Sequence, residues 1–398
     1  MDIKKYINKN YLIYGLSIIF SRGFELIVLF IASLFLVKSQ YGQLEYYKKI
    51  IELGGAFLSL GFPTLIMTYP RSKKSKLHLL VFSVFTILLL AVLLSPVLFY
   101  YKLIFLLIPI LFYSFFFTGG VLQSYLLVQY DSQKVSIYKI LVSLLFFSGV
   151  LFVVLKLNDG ADAYVYPAYL LFPLFFIFVI KEIFYQQFRF NIFKKYAKHF
   201  VKLLYGSFTL LLNNFSNLMF IYTDIFLIKY LSENAFKEIA DYSFALNVSN
   251  ILLIIPLTLI QVDIEKLKTN YRIFNQLQRK ILVLVGVLSL VLLIVYFGMI
   301  HTVFDKYNNT FLIFIILLIA KIFQSSTVIY GASLIIKKKF NHTLFVNLLM
   351  ILINIIASYL LYSFFGLYGI AIASMFSLMI RLILLRHYRV KFYLKTSK

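Results

Sequence analysis

Apolar runs of about twenty residues recur along the whole chain, each bounded by a short polar or basic stretch, and each is long enough to cross the hydrocarbon core of a bilayer as an α-helix. The pattern predicts twelve spans, at about 11–37, 43–69, 77–101, 103–128, 136–156, 161–181, 202–228, 240–262, 281–304, 310–336, 343–364 and 367–385. The first run follows MDIKKYINKN and continues to Val37 without a small-residue cleavage site, so it reads as a transmembrane helix rather than a signal peptide. The predicted class is all-α: a polytopic integral membrane protein of about twelve transmembrane helices.

Charge gives the spans an orientation. With residues at span ends such as Lys139 and Lys156 assigned to the adjacent connection, 28 of the 39 Lys and Arg fall at the two ends of the chain and in the even-numbered connections, 6 in the odd-numbered ones and five within spans (Arg22, Lys48, Lys49, Lys321 and Arg381). Positive residues stay on the cytoplasmic side, so both termini are expected there. The longest basic connection, Lys181 to Lys202 with Arg189, Lys194, Lys195 and Lys198, falls near mid-chain. It suggests an N-terminal lobe over 1–181, a basic cytoplasmic linker over 182–201 and a C-terminal lobe with a basic tail over 202–398. A faint repeat (IASLFLVK at 31–38, YTDIFLIK at 222–229) is compatible with two related halves.

Composition then removes function classes. With 62% hydrophobic and 14% charged residues, the chain lacks the polar surface of a soluble fold. A formal charge of +24 distributed over short loops fits anionic lipid headgroups, not nucleic acid. No Cys is present, which excludes disulfides, thiolate catalysis and iron–sulfur clusters. HExxH, GxSxG, Walker and dinucleotide motifs are missing, and the longest exported loop, Tyr230 to Ile239, is too short for a catalytic domain. No catalytic residue, metal site or cofactor is expected, and a transporter is favoured over a membrane polymerase or glycosyltransferase. Asp263 and Glu265, among Lys266, Lys268 and Arg272, read as a solvated salt-bridged surface, and the five His read as interfacial.

Ionisable groups inside spans carry the candidate chemistry, because a charge at bilayer depth costs about 2.5 to 3.5 kcal/mol and must face protein or water. Arg22 lies mid-span with Glu25 one turn on: either a structural pair or a cation lining a cavity. Lys321 shares a polar stripe with Gln324 and Ser325 and is expected to face the bundle interior. Lys48 and Lys49 are placed in the outer third of span two, where at least one could snorkel outward, and Arg381 near the cytoplasmic end of span twelve. Asp224 is either a proton or cation site or half of a buried pair. Asn347 and Asn354, seven apart on one helix face, and Ser374 could add oxygen ligands for a hard cation, or hydrogen-bond between helices.

Three segments together resemble bacterial polysaccharide flippases of the O-antigen type: YGQLEYYKKIIELGGAFLSLGFPTLIMTYPR at 41–71, YTDIFLIKYL with ADYSFALNVSNILLIIPLTL at 222–259, and NLLMILINIIASYLLYSFFGLYGIAIAS at 347–374. The resemblance implies the multidrug, oligosaccharidyl-lipid and polysaccharide exporter superfamily in a bacterial inner membrane, with two six-helix lobes around a central cavity, alternating access and no enzymatic step. It implies an undecaprenyl-pyrophosphate-linked oligosaccharide as substrate, moved for O-antigen, lipopolysaccharide, capsule or exopolysaccharide synthesis, with membrane lipids, a polysaccharide polymerase and chain-length machinery as partners. By the same match Arg22 joins a cationic cavity, with Lys321, Lys48 and Lys49 as further substrate-binding cations. Asp224, Asn347, Asn354 and Ser374 map onto a cation site, the coupling ion being Na⁺ or H⁺. Both helix-eleven positions are Asn, with no acid between them to strengthen such a site. The alternative in the same superfamily is a drug/cation antiporter, which would call for deep acidic rather than basic groups.

Overall fold

The computed structural model describes residues 9–68, 73–117, 119–130, 132–185, 190–260, 271–337 and 339–394. The Asp263/Glu265 pair and Arg189 lie outside them. Among the described residues the structure is helical throughout, without a strand: α1 (Lys9–Phe35), α2 (Lys38–Leu58), α3 (Phe62–Thr68), α4 (Lys73–Tyr100), α5 (Leu107–Phe116), α6 (Val121–Gln129), α7 (Ser132–Phe152), α8 (Val165–Tyr185), α9 (Phe190–Leu231), α10 (Ala235–Ser249), α11 (Tyr271–Thr302), α12 (Phe311–Ile336), α13 (Phe340–Phe365) and α14 (Leu367–Leu394). These helices fill the twelve expected span positions in order, because α2 with α3, and α5 with α6, each share one position. By length and composition alone, nine helical stretches among the described residues qualify as membrane spans. The chain is a multi-pass membrane protein.

Two spans are broken for identifiable reasons. Between α2 and α3, Leu60 and Gly61 take positive φ (46° and 72°), and Pro63, which has no N–H to give, sits where the first turn of α3 needs none. In the fourth span the chain leaves the helix at Phe117, whose backbone is extended, and re-enters at Val121. The seventh span, expected from about 202, belongs to a helix that already begins at Phe190 and runs 42 residues.

The fold divides into two compact units, residues 1–40 with 47–211, and residues 41–46 with 212–398. In the first, α1 packs along α7, and an aromatic core joins α5, α7 and α8: Phe112 stacks on Phe146 at 5.0 Å, and Phe116 meets Phe175 at 5.6 Å. In the second, α12 and α13 pack on α14, with small buried residues (Ala320, Ser325, Ala371, Ala373, Ser377) allowing close approach. Lipid is as apolar as a Leu side chain, so dispersion and small-residue packing, rather than exclusion from water, hold such helices together. The outward stripes confirm the solvent: Val283, Val287, Leu290 and Ile294 of α11 are all more than half exposed, at helical spacing.

Candidate functional site

The first unit gathers a cationic cluster on α1, α2 and α7. Within it Glu25 receives Arg22 Nη1 at 2.9 Å and Lys48 Nζ at 2.6 Å. The two cations are not equivalent: the Lys48 side chain is 4% exposed and Glu25 6%, whereas Arg22 is 48% exposed. Glu25 is therefore the buried partner of Lys48, and Arg22 contributes its charge from a half-open position. Lys48 does not snorkel outward as its place in the sequence suggests, because Glu25 neutralises it inside the protein. Lys49 is buried as well, with Glu52 at 3.8 Å.

A further member escapes the sequence reading. Lys139, counted there with a loop, sits within α7, is buried, and feels the positive charge of Arg22. Ser21 of α1 and Ser143 of α7 share a hydrogen bond nearby, tying the two cation-bearing helices together. Arg22, Lys48 and Lys139 thus bring three basic side chains from three helices into one unit.

The second unit carries a separate site. The Asp224 carboxylate of α9 accepts from the Tyr242 hydroxyl of α10, from Ser374 Oγ of α14 at 2.5 Å, and from Asn354 Nδ2 of α13 at 2.8 Å. Three of the four sequence-expected residues meet here, and Tyr242 is the unexpected fourth. Asn347 does not join them. Its amide donates to Asn213 Oδ1 at 3.1 Å, and its oxygen accepts from Arg381 Nη2 at 2.9 Å, while the same Arg381 nitrogen also reaches Asn217 Oδ1 at 2.7 Å. Seven residues of helix put Asn347 and Asn354 on one face but about 10 Å apart along it, too far for one ion's shell. The helices α9 and α13 therefore meet at two polar levels, Asn213 with Asn347 and Asp224 with Asn354.

Lys321 of α12 lies at the Asp224 level, with its ammonium donating to Gln324 Oε1 at 2.9 Å. Asp224, Lys321, Gln324 and Ser374 line one cavity, together with Phe220 and Leu378. Its space for the centre of a water-sized sphere is about 20 Å³, which suits one water or a small bare ion and no sugar or drug. Elsewhere in this unit Glu45, fully buried, accepts from Asn247 Nδ2 at 2.7 Å and from the Tyr41 hydroxyl at 3.3 Å.

This succession of helices is a fold already seen in solved structures. Particular solved structures share it: an inward-facing multidrug resistance MATE family transporter of the MOP superfamily (TM-score 0.69, 13% identity, 92% of this chain and 93% of that one); the Lipid II flippase MurJ in an inward closed conformation (0.63, 15%, 94% and 86%); and the Vibrio cholerae MATE transporter VcmN (0.60, 12%, 97% and 96%). No family model matches the sequence, and no curated protein matches it. At these identities the likeness establishes the fold.

Proposed function

We propose that this protein is a flippase that carries undecaprenyl-pyrophosphate-linked oligosaccharide units across the bacterial cytoplasmic membrane for surface polysaccharide synthesis, with both termini in the cytoplasm. The observation that carries this reading is the half-open Arg22 guanidinium beside the buried Glu25–Lys48 pair, with the buried Lys139 amine close enough to feel its charge. A guanidinium open on one side can pair with an entering anion, and a pyrophosphate headgroup is such an anion. The physical task also fits. Sugar and pyrophosphate cannot cross hydrocarbon while the polyprenyl tail prefers to remain in it, so a hydrated cationic site beside lipid serves both parts.

A drug/cation antiporter is the second reading, favoured by the MATE-like fold. A cationic drug would be repelled by the Arg22 cluster and would need surplus carboxylate instead. Proteoliposomes separate the two. With a fluorescent undecaprenyl-pyrophosphate oligosaccharide in the bilayer, the flippase reading predicts protein-dependent access of a lectin to headgroups from the inner leaflet and no ion-driven ethidium export. Ethidium export without headgroup translocation would reverse the assignment.

A further inference from the structure

The cavity at Asp224 already contains a cation of the protein's own. Among the described residues that line it, Asp224 is the only carboxylate and Lys321 the only basic group. The positive charge of Lys321 acts on Asp224 across the cavity while its ammonium holds Gln324. The two charges are single and opposite. Both Asp224 oxygens are engaged by three neutral donors, Tyr242, Ser374 and Asn354, and Asn354 Oδ1 is turned toward the Ser377 hydroxyl at 3.4 Å, so the amide presents N–H rather than oxygen to the carboxylate. A hard monovalent cation entering here would need oxygen lone pairs and would share a water-sized space with an ammonium of the same sign. The other strong cation of these helices, Arg381, is committed to Asn217 and Asn347 one level away and does not neutralise Asp224.

We infer that Lys321 is a tethered substitute for a coupling cation: its ammonium permanently supplies the single positive charge that Asp224 would otherwise take from solution, so the site excludes Na⁺ in the native protein. The inference uses the transport reading only in calling Asp224 a coupling site; ion binding itself is measured without any transported substrate, so failure of one does not entail failure of the other. Removing the amine while keeping the length, as in Lys321→Met, leaves the Asp224 carboxylate with its hydroxyl neighbours and space for one small ion, and it should create a Na⁺ site where there was none.

The test is thermal unfolding of purified, detergent-solubilised protein in NaCl against choline chloride at constant ionic strength. The wild type should unfold at the same temperature in both salts. Lys321→Met should be less stable in choline and regain stability with Na⁺, each tenfold rise beyond half-saturation increasing the folded-to-unfolded ratio about tenfold. Asp224→Asn/Lys321→Met should be indifferent to Na⁺. Should Lys321→Met fail to fold in either salt, Asp224→Asn decides: it strands the Lys321 ammonium, so it should be less stable than the double variant, which contains neither charge. Specific stabilisation of the wild type by Na⁺ would overturn the inference, as would a folded Lys321→Met that ignores Na⁺ or an Asp224→Asn no less stable than the double variant.

Discussion

Glu25 is predicted to hold the first unit together through Lys48 and not through Arg22, and three substitutions separate the contributions. The Glu25–Lys48 contact is 2.6 Å between side chains 6% and 4% exposed, so removing the carboxylate strands an ammonium in a low-dielectric site. Breaking such a pair costs about 3 to 5 kcal/mol. Glu25→Ala should fall in that range, aggravated by the nearby charge of Arg22. The Arg22 pair is longer at 2.9 Å and its side chain is 48% exposed, and pairs of that kind contribute about 0 to 1 kcal/mol. Arg22→Ala should therefore be nearly neutral for stability. Glu25→Ala/Lys48→Met removes both buried charges and should recover most of the loss. Fluorescent-fusion size exclusion after a heating series reads all three as surviving monodisperse protein. Equal losses for Arg22→Ala and Glu25→Ala, or no recovery in the double variant, would refute this division of roles.

Three further outcomes follow from the same geometry. In this Cys-free chain, single cysteines at Ser75 and Lys195 should be protected from an impermeant thiol reagent outside intact cells while one at Asn158 reacts; labelling at Ser75 would reverse the orientation. Gly42→Ala should cost about 1 to 3 kcal/mol in the same heating assay, because a Cβ there would overlap the Phe236 carbonyl and only backbone movement could relieve it; unchanged stability would contradict that packing. In the Lys321→Met background, Ser374→Ala should weaken Na⁺ stabilisation while Asn347→Ala leaves it unchanged, and the opposite order would return Asn347 to the ion site.

The spans were legible because each is a bilayer-length apolar run, and the bend in the second because Gly61 and Pro63 mark it. The break between Phe117 and Val121 went unread although Gly119, at φ 85°, and Gly120 stand in it, because glycines inside an apolar run equally serve close helix packing. Charges misled where position was judged by sequence alone. Lys139 stands next to a loop but one helix packing on another buries it, and Lys48 reads as a snorkelling residue until Glu25, 23 positions away, is seen to neutralise it. Tyr41, Tyr242 and Tyr307 stand near span ends yet are fully buried, and Tyr242 bonds Asp224. Asn347 shows the converse: its heptad spacing from Asn354 fixed the shared face correctly, but the rise of two helical turns between them already placed it beyond reach of the same ion.

Headgroup translocation by Arg22 variants in proteoliposomes tests the central claim most directly. Because Arg22 is the half-open member of a cluster whose buried charge is neutralised by Lys48 and Glu25, Arg22→Ala should insert and fold normally yet lose flipping of the undecaprenyl-pyrophosphate oligosaccharide, and Arg22→Lys should retain part of it. Full flipping by Arg22→Ala at normal abundance would contradict the account and remove the cationic cluster from the mechanism.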